Sequence, residues 1–393
     1  MTAIKMTATD LKAAIPLLKR RIQAGRKSIP VLKYVKIEAT NGLGGGLVSF
    51  ATTDLDAQVN VTKEASISGD DAAFMLPFNT LADIAGVATA YVTFETGHKT
   101  ATKDAAIKIT CDEITVLITD RMPVEDFPSM DQVKQDEFTQ WEMGHDDILR
   151  LINLSRHCVS TEETRYYLNG LYLTNPPAEK DAKPTMTLRG VATDGYRLAV
   201  IDTDTDVDLR KIPSMEGQPG FILPSHSLDT IAMIARKGGN SPLQFRIGQN
   251  RLMVIDDRVT FITKLIDGIF PDYTRVLPKA DPILTMQFSA ETVIRLNRFA
   301  VADRMYQSRA ARIDFKAGTI SVRNSVDDAE FSAPMQCSRA EGAADHQGFN
   351  IAYLADLGRV TGDFTAKSGG AGDPAICIGD DTKAMWVLMP MPV

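Results

Sequence analysis

The feature of this sequence that most constrains its fold is a set of short segments that recur in the same order. "MLPFNTLADI" begins at Met75, "ILPSHSLDTI" at Ile222 and "GFNIAYLADL" at Gly348, with a leucine at the seventh position of each. The segments lie about 125 to 150 residues apart, which exceeds the period of solenoid repeats and equals the length of a whole domain. The sequence therefore predicts one type of domain, present in three copies.

Two further sets of segments follow the same order. "TTDLDAQV" from Thr52 matches "ATDGYRLAV" from Ala192 and, more weakly, "NSVDDAEFSA" from Asn324. "EDFPSM", which ends at Met130, matches "GIFPDY", which ends at Tyr273. Polar linkers, "QVKQDE" and the proline-bearing "LPKADP", separate the copies, as expected at domain boundaries. We predict domains at residues 1–136, 137–279 and 280–393.

Each copy begins with a short strand and an amphipathic helix. The first of these helices is predicted to be capped by Thr9, the third by Ser289. Runs such as "VKIEAT" and "YLNGLYLT" have the alternation of half-buried antiparallel strands. The segments with the repeated leucines indicate a second helix in each copy. The predicted fold class is α+β, with three similar domains, each built from antiparallel sheets and two helices.

Charge is distributed unevenly along the chain. The net charge is −7, yet the first 36 residues carry nine lysines and arginines against Asp10 alone, a local balance of +8 that leaves −15 for the remainder. A basic surface on an acidic body can hold a polyanion at one place and repel it elsewhere. The charge pattern therefore allows contact with nucleic acid in spite of the acidic total.

The sequence has no features of a secreted or membrane-spanning protein. Its first residues lack a signal-peptide pattern, and no apolar run reaches membrane-spanning length. We therefore predict a cytoplasmic protein. The cysteines at positions 111, 158, 337 and 377 are widely spaced, which favours reduced, mostly buried thiols over a zinc site or disulfides.

No motif indicates catalysis. "NGLGGGL", which begins at Asn41, lacks a following Gly-Lys-Ser/Thr and is typical of a hairpin rather than a phosphate loop. The histidines lack metal-ligand spacing. We predict no catalytic residue, no metal and no cofactor. A metabolic enzyme with a cleft between domains stays an alternative, and convergent titratable groups with perturbed pKa values in one pocket would favour it.

Four longer motifs are similar to a known family. "TRYYLNGLYL" from Thr164, "GVATDGYRLAV" from Gly190, "FITKLIDGIFPDYTRVLP" from Phe261 and "VLMPMPV" from Val387 resemble the β subunit of bacterial DNA polymerase III, the replicative sliding clamp. The resemblance implies the DNA clamp fold, with sheets outside and helices inside, in a head-to-tail homodimer that forms a closed ring. It implies a non-catalytic processivity factor that encircles duplex DNA without reading its sequence.

The resemblance also implies a hydrophobic pocket that receives short linear motifs from the replicative polymerase, the clamp loader and repair proteins. Methionines suit such a pocket because they can repack around different peptides. A competing interpretation is that Met389 and Met391 only complete a core strand. The residues that the resemblance places at the pocket are Leu168, Thr193, Gly195, Tyr196, Arg197, Leu198, Pro271, Arg275, Val276, Asn350, Tyr353, Val387, Met389, Pro390 and Met391.

Candidate DNA contacts come from the outer helix faces and from matching family positions. For Tyr166 and Tyr167, packing within a strand is an equal alternative. The DNA candidates are Lys12, Lys19, Arg26, Arg150, Arg165, Tyr166, Tyr167, Arg295 and Arg298.

The resemblance places ring closure between the first domain of one protomer and the third domain of the next. The candidate contacts are Leu117, Phe299, Val301 and Ala302, with a core role equally open for Leu117 and Val301. A monomeric scaffold that binds proteins would share the pocket but lack this closure.

Overall fold

A computed structural model describes residues 1–22, 29–42, 45–98, 106–119, 122–130, 139–177, 185–211, 219–237, 239, 241–248, 250–300, 309–324, 326 and 328–393. The described helices are α1 (Ala8–Lys19), α2 (Phe78–Val87), α3 (His145–Ser155), α4 (Ser225–Lys237), α5 (Ala290–Phe299) and α6 (Ile351–Thr361).

The described strands fall into two groups by position in the chain. The first group is β1 (Ala3–Thr7), β2 (Tyr34–Gly42), β3 (Gly45–Thr53), β4 (Ala57–Ser68), β5 (Ala72–Pro77), β6 (Tyr91–His98), β7 (Ala106–Cys111), β8 (Ile114–Ile118), β9 (Thr139–Met143), β10 (Gly170–Thr174), β11 (Thr187–Thr193) and β12 (Arg197–Asp206). The second is β13 (Phe221–Pro224), β14 (Leu243–Ile247), β15 (Arg251–Asp256), β16 (Val259–Lys264), β17 (Leu284–Phe288), β18 (Ala310–Asp314), β19 (Thr319–Asn324), β20 (Ala329–Pro334), β21 (Gln336–Arg339), β22 (His346–Asn350), β23 (Phe364–Ser368), β24 (Ala375–Ile378) and β25 (Ala384–Leu388).

The chain divides into two compact units, each made of two segments. Unit 1 is Met1–Asp146 with His226–Leu265, and unit 2 is Asp147–Ser225 with Ile266–Val393. Each unit takes part of the predicted central domain, so the boundaries at residues 136 and 280 stay a prediction.

Unit 1 contains one sheet, in which β8-β7-β6-β1-β4-β16-β15-β14-β9 form a continuous path. Strands β2, β3 and β5 join the same sheet beside β4. In unit 2 the strands β13-β10-β11-β12-β25-β24-β23-β17-β21 form one sheet and β20-β19-β18-β22 form another. The described strand pairs are antiparallel, which confirms the predicted α+β class with antiparallel sheets.

The repeated leucines have the same place in each copy. Leu81 lies on α2, Leu228 on α4 and Leu354 on α6, and all three are fully buried. Their burial explains the repeat, because each second helix packs through this position and a polar residue there would lose that apolar contact. The predicted second helix of each copy is confirmed.

The predicted first helix of each copy is present as α1, α3 and α5, and one predicted cap needs correction. Helix α1 begins at Ala8 and is capped by Thr7, whose hydroxyl accepts from the Asp10 amide at 3.1 Å. Thr9, the predicted cap, lies inside the helix. Thr7 takes this role because it still has the extended backbone of β1, which an N-cap residue needs.

Among the described residues, no helix is long and apolar enough to cross a membrane. The cysteines are free thiols, and those at positions 111, 158 and 377 are buried. The glycine-rich "NGLGGGL" joins β2 to β3, where Gly42 pairs with Gly45. Both the reduced thiols and the hairpin agree with the sequence predictions.

Candidate functional site

The turn between β11 and β12 is held by its own side chains. The Thr193 hydroxyl donates to the Arg197 carbonyl at 2.8 Å and accepts from the Gly195 amide at 3.1 Å. One carboxylate oxygen of Asp194 accepts from the amides of Tyr196 and Arg197, at 2.9 and 3.0 Å. Gly195 has φ of 91°, a conformation that glycine adopts without strain. The turn therefore presents Tyr196, which is 57% exposed, in a fixed position.

Arg197 connects this turn to helix α6. Its Nε lies 2.9 Å from Asp194 Oδ2, and its Nη1 lies 2.8 Å from Asp356 Oδ2. Its guanidinium carbon is 4.3 Å from the centre of the Tyr353 ring, within the range of a cation–π contact. Burial alone would lower the pKa of Arg197, but hydrogen bonding to Asp356 and the charge of Asp194 raise it. Arg197 is thus a fixed cation at the edge of the site.

An apolar cluster lies beside this turn. Leu198 on β12 and Val387 on β25 are register partners, and Leu168 packs with them. Tyr172 and Phe270 stack in the same cluster, with ring centroids 4.8 Å apart. The buried members are Leu168, Tyr172, Val191, Leu198, Val200, Ile222, Phe270, Tyr273 and Val387. The structure therefore brings together three pocket residues that are far apart in the sequence.

The segment Met389–Val393 follows β25 and is fixed at two backbone positions. The Met389 amide donates to the Tyr196 carbonyl at 2.9 Å, and the Met391 amide donates to the Gly348 carbonyl at 3.0 Å. Strand β25 ends at Leu388, and Met389 is 38% exposed. The methionines thus lie beyond the core strand, which speaks against the interpretation that they only complete it.

The other pocket candidates surround this cluster. Asp272 caps the turn Tyr273–Val276. Its carboxylate accepts from the Thr274 amide and pairs with Arg275 at 3.1 Å. Val276 is 42% exposed next to the buried Tyr273. Asn350 caps α6 by accepting from the Ala352 amide at 2.9 Å, so its side chain also has a structural role. The remaining candidates here are Pro271, which is exposed, and Pro390, which is half-buried.

Three residues that shape this site were not predicted from the sequence. Asp194 and Asp356 hold Arg197, and Gly348 accepts the hydrogen bond from Met391. A signal for Gly348 was present in the repeat, since the other two copies have a large apolar residue at that position. No comparable signal marked Asp356, because its contact with Arg197 depends on the tertiary fold.

The predicted DNA-contacting helix residues have different environments. Lys12 and Lys19 are exposed on α1, and Arg295 and Arg298 are exposed on α5. Arg26 lies outside the described residues. Arg150 was expected to point outward from α3, but it binds both carboxylate oxygens of Asp381 and the carbonyl oxygen of Asp202.

The residues before β10 that were predicted to contact DNA also have different environments. Arg165 lies against the Gly195 turn, with Nη1 3.0 Å from the point that a β-carbon on Gly195 would occupy. Tyr166 is 53% exposed and meets Tyr167 edge to face, with centroids 5.8 Å apart. Tyr167 packs against the apolar cluster, so packing accounts for part of its burial.

The interface candidates fall partly within the described residues. Leu117 lies on β8, an end strand of the unit 1 sheet, and is 50% exposed among the described residues. Phe299 is 43% exposed and stacks on Phe331 at 4.4 Å between centroids. Val301 and Ala302 lie outside the described residues.

In the part of the chain that the structure describes, no group of three or more histidine, cysteine or acidic side chains is placed to hold a metal ion.

Comparisons with known proteins define the class to which this fold belongs. Residues 142–272 match the family model of the DNA polymerase III beta subunit, central domain. The crystal structure of the Caulobacter crescentus beta sliding clamp superposes with a TM-score of 0.84 at 24% identity, covering 100% of this chain and 99% of that one. A sliding clamp from Bartonella birtlesii, solved bound to griselimycin, gives a TM-score of 0.83 at 23% identity, with 100% coverage of both chains. The fold is that of a DNA sliding clamp.

Curated relatives are similar to this chain along most of its length. The chain is 27% identical to the beta sliding clamp of Caulobacter vibrioides, over 94% of each chain. It is 26% identical to that of Proteus mirabilis, over 85% of this chain and 83% of the relative. The chain is therefore related to the bacterial DNA polymerase III beta subunit, the beta sliding clamp. The resemblance drawn from the sequence motifs is confirmed.

Proposed function

We propose that this chain is a DNA sliding clamp that encircles duplex DNA, confers processivity on the replicative DNA polymerase and docks the clamp-binding motifs of replication and repair proteins. The observation that carries the proposal is similarity to beta sliding clamps along 94% of the chain. The candidate peptide site supports it, because its residues come from five separated segments and three of them, Leu168, Leu198 and Val387, pack in one apolar cluster.

The clamp acts as a head-to-tail homodimer of three-domain protomers, with boundaries near residues 136 and 280. Strand β8 supports this arrangement, because it is an end strand that exposes Ile114 and Leu117, 48% and 50% accessible. Exposed apolar side chains on a sheet edge favour pairing with another chain. Phe299, which is 43% exposed, belongs to the proposed opposing surface, and the other predicted contacts there, Val301 and Ala302, lie outside the described residues.

DNA contact is electrostatic and independent of sequence. Lys12 and Lys19 on α1 and Arg298 on α5 are exposed cations that can meet phosphates. A ring held on DNA by topology needs only mobile, salt-screened contacts, since tight binding would oppose sliding. Arg26, Arg165, Tyr166 and Arg295 stay candidates for the same surface, whereas Arg150 is bound within unit 2.

The peptide site provides an apolar surface with a charged edge. Tyr196, Val276 and Met389 are partly exposed above the buried cluster, so a peptide's apolar side chains can be buried there. Arg197 and the turn backbone add polar contacts. This activity needs no cofactor and no catalytic residue, and loading onto DNA depends on a partner ATPase.

The ring is tested by solution mass and by retention on DNA. Light scattering should give twice the 43.0 kDa chain mass. Clamp loaded on circular duplex should remain through a wash at high salt, whereas clamp on a linear duplex should leave from the ends. A monomer lost equally from both DNA forms would contradict the ring and leave only the docking function.

The peptide site is tested with a labelled peptide from the replicative polymerase. Deleting Met389–Val393 should abolish binding while the dimer mass is unchanged. Met389→Asp should weaken affinity at least about tenfold, because a carboxylate would be buried against apolar groups. Met186→Asp is the matched control, since Met186 is a 46% exposed methionine outside the site. Normal affinity after the deletion would exclude this site.

A further inference from the structure

We propose that Gly348 is a positioning residue, which seats the segment Met389–Val393 and so forms one wall of the peptide site. The inference rests on the proposed function for its consequence, peptide affinity. Its structural basis is independent of that function.

The internal repeat shows that a glycine is unusual at this position. In the three strands that precede the second helices, Met75 pairs with Lys36, Ile222 with Tyr172 and Gly348 with Arg312. Met75 and Ile222 are buried, at 0% and 2% exposure, and each belongs to an apolar cluster. The third copy therefore lacks a side chain where its two equivalents have a large apolar one.

The space left by this missing side chain is occupied by the segment that follows β25. A β-carbon on Gly348 would lie 2.2 Å from Val393 Cγ1 and 2.4 Å from the Met391 carbonyl oxygen. Side-chain β-carbons essentially never approach other heavy atoms so closely. Any residue other than glycine would have to displace Val393 and the backbone of Met391. The backbone of Gly348 does not need glycine, because its φ is outside the left-handed region.

The segment is held between two elements that both border the peptide site. Met389 bonds to the Tyr196 carbonyl in the β11–β12 turn, and Met391 bonds to the Gly348 carbonyl in β22. Strand β22 is an end strand of its described sheet, so the segment covers a sheet edge. Two attachment points two residues apart restrict the backbone that carries both methionines. A site ordered before binding loses less conformational entropy when a peptide binds.

Gly348 also connects the segment to the far side of the site. Strand β22 continues into Asn350, the cap of α6, and then to Tyr353, which lies on the Arg197 guanidinium. A displaced segment would separate Met389 and Met391 from these residues. The geometry therefore gives Gly348 a specific effect on peptide binding that does not require direct contact with the peptide.

The test is Gly348→Ala, with Gly372→Ala as the matched control. Gly372 lies in the same unit, and no heavy atom comes within 4 Å of the point that a β-carbon on it would occupy. Gly348→Ala should raise amide hydrogen exchange in residues 389–393 and weaken the polymerase peptide about tenfold. The control should change neither. Equal exchange and equal affinity in Gly348→Ala and the wild type would overturn the inference.

A second variant covers the case in which Gly348→Ala does not fold. Deleting Pro392 and Val393 removes the contact of Val393 with Gly348 without adding atoms, and should also raise exchange at Met391 and weaken binding of the peptide. Unchanged exchange there would overturn the inference. A wild type that binds no peptide would refute the proposed docking function instead, while the exchange results would still decide whether Gly348 seats the segment.

Discussion

At the scale of single residues, His157 shows how burial controls a charge beneath the peptide site. Burial first, and the nearby Arg197 guanidinium second, lower the pKa of His157 to about 4, while Asp356 opposes the shift. The unfolded chain has an ordinary histidine pKa of about 6.5. Between these values the unfolded state binds more protons than the folded state. The contribution of neutral His157 to the free energy of unfolding is therefore at its full value above pH 6.5 and is lost as the pH falls toward 4.

We predict that His157→Gln makes the free energy of unfolding less dependent on pH below neutrality. Between pH 7 and pH 5, about 1.5 pH units lie below the histidine pKa of the unfolded chain. Over this interval the free energy of unfolding of the wild type should fall by about 2 kcal/mol more than that of the variant. Urea unfolding at both pH values measures the difference. Identical pH dependence in the two proteins would show that His157 is accessible to protons in the folded state.

At the scale of elements, the same turn is built twice from related sequences. In the β3–β4 turn, the Thr53 hydroxyl donates to the Ala57 carbonyl and Asp54 accepts from the following amides, as Thr193 and Asp194 do in the β11–β12 turn. Even the left-handed residue is repeated, with φ of 78° at Leu55. The recurring "TTD" and "ATD" thus encode a hydrogen-bonded turn.

The two turns differ in how their arginine is held. Arg21 is 3% exposed and its Nη1 lies 2.9 Å from Asp54, with the Thr230 hydroxyl and the His226 carbonyl as its other partners. Burial lowers the pKa of Arg21, and Asp54 raises it. Arg197 instead has two carboxylates, from Asp194 and Asp356. The first turn therefore depends more strongly on its single ion pair.

This difference gives a prediction for paired substitutions. Asp54→Asn should destabilise the protein by about 3 kcal/mol, because a buried guanidinium is left without its directly bonded carboxylate. Asp194→Asn should have a smaller effect, about 1 kcal/mol, because Asp356 still pairs with Arg197. Chemical denaturation followed by circular dichroism compares the two. An equal or reversed order would contradict this view of the turns.

At the scale of the whole molecule, the acidic total charge coexists with exposed cations on helices. Lys12 and Lys19 are exposed on α1, in the segment whose balance is +8. In the proposed ring these residues face DNA, and the acidic remainder repels DNA from other surfaces. The net charge of −7 therefore does not argue against DNA binding.

We predict that Lys12→Ala combined with Lys19→Ala reduces the salt dependence of DNA association. Each lost phosphate contact lowers the slope of log affinity against log salt by about 1, so the double variant should lose about 2. Lys279→Ala with Lys367→Ala is the control, since both lysines are exposed and belong to other segments. Fluorescence anisotropy over a salt series measures the slopes. An unchanged slope in the first pair would remove α1 from the DNA surface.

Several features followed from the sequence alone because they depend on local patterns. The apolar periodicity predicted the helices, the alternation predicted the antiparallel strands, the repeated segments predicted one type of domain in several copies, and the four longer motifs predicted the similarity to sliding clamps. Leu81, Leu228 and Leu354 could be equated from the repeat itself, because burial at a fixed point of a repeated helix leaves the same residue type there. The cap at Thr7 was missed by two residues because caps depend on where the preceding strand ends.

Tertiary structure alone decided which distant residues meet. The pairing of Arg197 with Asp356, the internal binding of Arg150 by Asp381, and the seating of Val393 on Gly348 join residues that are far apart along the chain or in separate elements. Such contacts depend on the path of the backbone, which one sequence does not specify residue by residue. The sequence determined the elements and the repeat, because local physical chemistry repeats with each copy, and its four longer motifs indicated the kind of protein. The fold decided the site, because its walls come from segments that only the assembled sheets bring together.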